Sequence, residues 1–203
     1  MQLSEIVEQI QEAFCFVRHR FPFTHGFHIM GHSAGAHLAT MIMAQPAHDF
    51  PELLPITLYP VSGIFDLRWV INDESSKFWL VFRPLLNTDI NDPLNLTIET
   101  AQQLSPMDPS NFKTIYSNTR RTARFIIIHA ENDSPAFHEQ SRHFYELLKQ
   151  TGCNTVLIEI ENTDHFGKCS LTILGPSLKL AKNGRRQSAR WCWSARLYFK
   201  ATD

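Results

Sequence analysis

Residues 27–38 read FHIMGHSAGAHL. A short apolar run, Phe27 to Met30, meets Gly31-His32-Ser33-Ala34-Gly35, and residues of helical composition follow from Ala34 to Ala44, with Pro46 marking their end. The pattern G-x-S-x-G alone would arise by chance in roughly one chain of this length in fifteen. Between a strand candidate and a helix candidate it says more. A tight strand-to-helix turn lifts a serine clear of the backbone, and small flanking residues remove side chains that would clash there. The helix that follows points its first amides at the same place, so the Ala34 amide can donate to a developing oxyanion.

Working outward, three further strand candidates appear: Pro55–Ser62 (PITLYPVS), Arg124–His129 (RFIIIH) and Thr155–Ile160 (TVLIEI). Pro60 is expected at the C-terminal end of its strand. Ser4 is a candidate cap for a helix whose apolar residues Ile6, Val7, Ile10, Ala13, Phe14 and Val17 recur at helical spacing. HEQSRHFYELLKQTG, at 138–152, predicts an amphipathic helix stopped by Gly152. Short apolar strands alternating with helices predict an α/β fold with a mostly parallel sheet.

Two segments read differently. Residues 66–112 are irregular, with scattered Asn, Asp and Pro and the aromatics Trp69, Phe78, Trp79 and Phe82, which suggests a cap or long loop inserted in a core spanning 1–166. From Gly167 to Asp203 the tail holds eight Lys or Arg against one acid, with no sustained helical period.

A serine hydroxyl is a weak nucleophile and needs a base beside it, which in turn needs an acid. Asp133 follows RFIIIH and His165 follows TVLIEI. Both stand at strand C-terminal ends, the sheet edge where Ser33 also lies and where sites assemble in parallel sheets. The chain order Ser, Asp, His suits this type of nucleophile. Asn132-Asp133-Ser134-Pro135 is also ordinary turn chemistry, and Glu131 and Asp164 are rival acids without a better strand context.

Composition narrows the rest. The chain has 203 residues, 43% hydrophobic and 19% charged, with a formal net charge of −1, which suits a folded domain and implies no global attraction to nucleic acid or acidic membranes. Cys15, Cys153, Cys169 and Cys192 show no C-x-x-C spacing, and no apolar run approaches bilayer length. The N-terminus lacks the pattern of a signal peptide, so a reduced, cytoplasmic setting is expected. His32 and His37 sit beside an apolar helix start with no carboxylate at ligand spacing, and no metal site is expected.

GHSAGAHLATM, VSGIFDLR, DPLNLTIETAQQLSPM, NDSPAFHEQSRHFYELL and TDHF together resemble animal kynurenine formamidase, also called arylformamidase, an α/β-hydrolase family close to esterases and lipases. The resemblance covers roughly residues 1–166. It implies hydrolysis of N-formyl-L-kynurenine to L-kynurenine and formate in tryptophan catabolism, with the triad Ser33, Asp133 and His165 and no cofactor. The implied partner is a small aryl formamide, and neither nucleic acid nor membrane. Alternatives are a broader carboxylesterase with the same triad, or a catalytically silent relative.

The family carries an H-G-G-Y-W motif before the nucleophile, on a loop that supplies further oxyanion amides, with strands before and around it. Here His25-Gly26 is followed by Phe27 and cannot fill that part. The nucleophile strand is therefore expected to be an exposed apolar edge, and this 203-residue form to fall short of full activity. After Asp164-His165-Phe166 the family continues into a helix, where this chain turns to its basic tail.

Overall fold

A computed structural model describes residues 2–20, 27–44, 56–69, 97–119, 123–165 and 197–201. Among them the elements run α1 (Leu3–Arg20), β1 (Phe27–His32), α2 (Ala34–Ile42), β2 (Ile56–Val61), α3 (Ile98–Gln103), α4 (Pro109–Thr119), β3 (Ala123–Asn132), α5 (Pro135–Gln150), β4 (Asn154–Asp164) and β5 (Leu197–Ala201). The sheet order is β4-β3-β2-β1-β5. The first four strands are parallel, as the alternating pattern predicts, and β5 is antiparallel to β1.

The parallel strands bury one face under the helices. Phe27 and Ile29 of β1, Leu58 of β2, and Phe125 and Ile127 of β3 alternate along their strands and share one core with Phe14, Ala39, Ile42, Ile115, Phe144 and Leu148 from α1, α2, α4 and α5. Each such side chain taken wholly out of water contributes roughly 1.5–3 kcal/mol. Met30, Val61, Ile128 and Ala130 form a smaller cluster on the opposite face.

Local chemistry explains the helix ends. α5 starts with Pro135 at its first position and ends in a Schellman arrangement: Gly152, at φ 79, donates to the Lys149 carbonyl and Cys153 to that of Leu148. α1 starts one residue before the expected cap, so Ser4 lies inside it, and the Gln2 amide donates to Glu5 Oε2 at 2.7 Å. Pro60 is the penultimate residue of β2, and the pairing of β2 with β3 skips from Leu58 to Val61 where its missing N–H leaves a gap.

Two expectations need correction. The stretch 66–112, read as irregular, contains α3 and the start of α4. α3 is set by a reciprocal cap, in which the Thr97 hydroxyl accepts from the Thr100 amide and the Thr100 hydroxyl from the Thr97 amide. The expected exposed edge at β1 is covered, because β5, from the basic tail, pairs with it from Phe27 to Gly31. Of the aromatic group in that stretch, Trp69 is half-buried with its ring edge-on to His143, while Phe78, Trp79 and Phe82 lie outside the described residues.

Candidate active site

Each parallel strand delivers one side chain to the site, and in each case it is the first residue past the strand. Ser33 follows β1, Ser62 follows β2, Asp133 follows β3 and His165 follows β4. The C-terminal edge of a parallel sheet brings such positions side by side whatever their separation in sequence.

Ser33 has φ 56 and ψ −120, a backbone conformation that non-glycine residues adopt only at a cost of about 1–3 kcal/mol. Its amide donates to the Val61 carbonyl at 2.9 Å, and its own carbonyl accepts from Ala36 and His37 as α2 begins. Gly31 makes the turn possible. A Cβ there would stand 2.0 Å from the Gly35 carbonyl oxygen, so the first turn of α2 closes onto bare backbone. Ala34 opens α2, and its N–H has no carbonyl partner within the helix.

His165 Nε2 lies 3.1 Å from Ser33 Oγ, and its Nδ1 lies 2.7 Å from Asp133 Oδ1. The Asp133 side chain is wholly buried. Its second oxygen accepts from Ser62 Oγ at 2.5 Å and from the Ala130 amide at 2.9 Å. Burial by itself would push the Asp133 pKa up, but the hydrogen bonds from His165, Ser62 and Ala130 outweigh it and hold the carboxyl below its ordinary range. Nδ1 of His165 therefore donates to a carboxylate, which leaves Nε2 as the acceptor facing the serine hydroxyl.

The imidazole is also held from its faces. Phe137 stacks on His165 with ring centres 4.2 Å apart, and the His32 ring lies 4.8 Å away on a tilt. Burial, and then the neighbouring His165, lower the pKa of His32. A neutral His32 adds no positive charge beside the His165 imidazole.

The structure thus brings Ser33, Asp133 and His165 within hydrogen-bond distance and leaves the rival acids outside. Glu131 is exposed and accepts from the Asn162 amide at 2.6 Å, and Asp164 is an exposed residue at the end of β4. Ser62 was missed by sequence reasoning. It sits in Val61-Ser62-Gly63, inside the VSGIFDLR segment but in no catalytic motif, 71 residues from the carboxylate it bonds. Its one legible sign is that it directly follows a strand of the parallel set. The loop behind it is fixed by Gln140, whose Oε1 accepts from the amides of Phe65 and Asp66 at 2.6 and 2.8 Å, and by Phe65 stacking on Phe144.

Known proteins share both sequence and fold with this chain. The model of the prolyl oligopeptidase family matches residues 5–174. A kynurenine formamidase of Salmo salar is 33% identical over 167 residues, 81% of this chain and 50% of the relative. One of Danio rerio is 30% identical over 162 residues, 79% of this chain and 49% of the relative. The chain spans about half the length of these curated relatives. Among solved structures, a Pyrobaculum calidifontis esterase aligns with a TM-score of 0.53 at 17% identity, covering 82% of this chain and 54% of its own. A Pyrococcus horikoshii acylaminoacyl peptidase aligns with a TM-score of 0.50 at 19% identity, covering 76% and 22%. At such identities the structural likeness speaks for the fold, and the family is carried by the sequence match: the protein belongs to the prolyl oligopeptidase family, as a kynurenine formamidase-like α/β-hydrolase.

Proposed function

We propose that the chain is a serine hydrolase of the kynurenine formamidase type, with Ser33 as nucleophile, His165 as general base and acid, and Asp133 as the group that orients and charges the imidazole. The hydrogen-bonded series from Ser33 Oγ through His165 to Asp133, at 3.1 and 2.7 Å, is the observation that carries this reading. The substrate, N-formyl-L-kynurenine, is the one implied by the sequence resemblance, and the two fish relatives named kynurenine formamidase support it.

In this reaction Ser33 Oγ attacks the formyl carbon while Nε2 of His165 takes the hydroxyl proton. The carbonyl oxygen becomes an oxyanion, stabilised by the Ala34 amide. Asp133 meets the resulting imidazolium with full negative charge, since its pKa is held low. The intermediate collapses, the C–N bond breaks, and Nε2–H protonates the leaving aryl amine to give kynurenine. Water, deprotonated by the same nitrogen, then attacks the formyl-serine ester and releases formate with the serine restored. No metal is required, because a formyl group is small and accessible and the base is already in place.

A cytoplasmic setting accords with the free thiol of the buried Cys153. No helix among the described residues is long and apolar enough to cross a membrane.

The test is hydrolysis of N-formyl-L-kynurenine by the purified chain beside Ser33→Ala, with a fluorophosphonate label located by mass spectrometry. We expect turnover that falls by roughly 10⁴- to 10⁶-fold in the variant, and label on Ser33 alone. Turnover retained by Ser33→Ala would sink the triad. Label on Ser33 with faster turnover of short acyl esters than of the formamide would keep the triad and remove the substrate.

A further inference from the structure

A second cluster of chemistry-bearing side chains lies on the helix-covered face of the sheet. His129 of β3 and Glu159 of β4 are register partners on adjacent parallel strands. Both fall in the alternation that faces α5: His129 follows Phe125 and Ile127, and Glu159 follows Leu157. α5 brings His138 over them from its first turn, so the ring centres of His129 and His138 are 4.5 Å apart. Nδ1 of His129 lies 3.6 Å from Glu159 Oε2, and Nδ1 of His138 lies 3.7 Å from the same oxygen. One donor atom from each of the three residues lies within 4.8 Å of the others.

His129 points to a ligand independently of that spacing. It is 6% exposed, and its buried Nδ1 has no hydrogen-bond partner. Buried polar atoms left unpaired are rare in native proteins and call for a partner or a use. Here the unpaired nitrogen faces a carboxylate that stands too far away to accept a hydrogen bond.

We propose that His129, His138 and Glu159 form a zinc site that ties α5 to β3 and β4. Zinc takes imidazole nitrogen at about 2.0–2.1 Å and carboxylate oxygen at about 2.0–2.2 Å, in tetrahedral geometry. Those bond lengths put donor atoms about 3.3 Å apart, so the nitrogen-to-oxygen separations contract by a few tenths of an ångström, while the two imidazole nitrogens, within 4.8 Å of each other, close by up to about 1.5 Å through rotation of the half-buried His138. Two nitrogens and one carboxylate suit zinc rather than magnesium or calcium, which prefer all-oxygen surroundings. The fourth position opens towards solvent on the Glu159 side, whose side chain is 51% exposed. The cluster shares no residue with the serine relay, and it stands whether or not the proposed substrate is right.

The test strips the full chain with a chelator and titrates it with zinc by calorimetry, alongside His138→Gln and Glu159→Gln, with circular dichroism confirming that each variant folds. We expect one zinc per chain at micromolar concentration or below, with affinity at least about 100-fold weaker in each variant. Zinc should raise the melting temperature of the parent chain and not of the variants. Cobalt in place of zinc should give the intense visible bands of a tetrahedral nitrogen and oxygen site. The half-exposed Glu159 makes its variant decisive if His138→Gln does not fold. Absence of saturable binding by the parent, or undiminished binding by Glu159→Gln, would overturn the proposal.

Discussion

The turns after β1 and β2 are built alike and used differently. Ser33 and Ser62 both sit one residue past a parallel strand, at φ 56 and φ 46. Each sends its amide across to the next strand, Ser33 to the Val61 carbonyl and Ser62 to the Ile128 carbonyl, at 2.9 and 2.7 Å. From there they part. The hydroxyl of Ser33 is half-buried and faces His165, whereas that of Ser62 is sealed from solvent and donates to Asp133. One strained turn presents its hydroxyl to an imidazole, and the other gives its hydroxyl to a buried carboxylate. Their supports differ too. The Ser33 turn is clamped by bare Gly31 beneath α2, and the Ser62 turn by Gln140 and Phe144 of α5.

Support for the Ser33 turn also comes from His37 in the first turn of α2, and it makes the largest stability prediction. His37 is buried, donates Nε2–H to the Leu104 carbonyl at 2.7 Å, and has its pKa pushed down by burial to about 4. The unfolded chain takes up this proton near pH 6.5, and the folded chain does not until about pH 4. Between those values the unfolded state binds more protons, so stability falls as pH falls, by about 3 kcal/mol over the whole window. Asp133, with its pKa lowered, contributes stability that is present above the ordinary carboxylate range and lost only on further acidification, so the two effects separate. Urea denaturation at pH 7 and pH 4 should show the fall in the parent chain and its largest single part missing in His37→Gln, the remainder coming from His32 and His129, whose pKa values burial also lowers. An equal fall in both would mean that His37 does not hold α2 as a neutral donor.

Ser62→Ala comes next. A hydrogen bond to a charged group is worth about 1.5–3 kcal/mol, and the variant leaves Asp133 with two donors instead of three. We expect kcat to fall by roughly 10-fold to 100-fold with KM nearly unchanged, because the serine orients the acid and touches no substrate. Ser62→Thr, which keeps the hydroxyl, should recover part of the loss. A change confined to KM would place Ser62 in substrate binding instead and break the comparison.

The same two turns show how much of the site was legible. Ser33 stands in G-x-S-x-G between a strand and a helix, so the local pattern exposes it, and Asp133 and His165 emerge from the C-terminal ends of the other strands. Parallel strands inside a sheet bury both faces and read as apolar runs, as β1, β2 and β3 do, and the more exposed edge strand β4 is still visible through TVLIEI. Ser62 carries no pattern because its importance lies in a contact made by folding. The same holds for His129, His138 and Glu159, which join two strands and a helix and were not expected to form a metal site. α3 was missed because its cap is Thr97 with Thr100 rather than the usual acidic partner. β5 was missed because a basic tail without helical period gives no sign of the strand it will pair with.

The smallest effect is the most direct test of the difference between the turns. Glycine adopts positive φ without steric cost, so it relieves about 1–3 kcal/mol of strain while losing about 0.4–1 kcal/mol to the greater freedom of the unfolded chain. At Ser33 the hydroxyl is half-buried and carries little of the fold, so Ser33→Gly should stabilise the chain by about 1 kcal/mol while ending turnover. At Ser62 the same relief is offset by loss of the buried bond to the Asp133 carboxylate, worth about 1.5–3 kcal/mol, so Ser62→Gly should be neutral or destabilising. Chemical denaturation of the two variants reads the sign. If both gain alike, the hydroxyl of Ser62 holds nothing in place. If both lose alike, the backbone at Ser33 is not a strained conformation kept for its side chain.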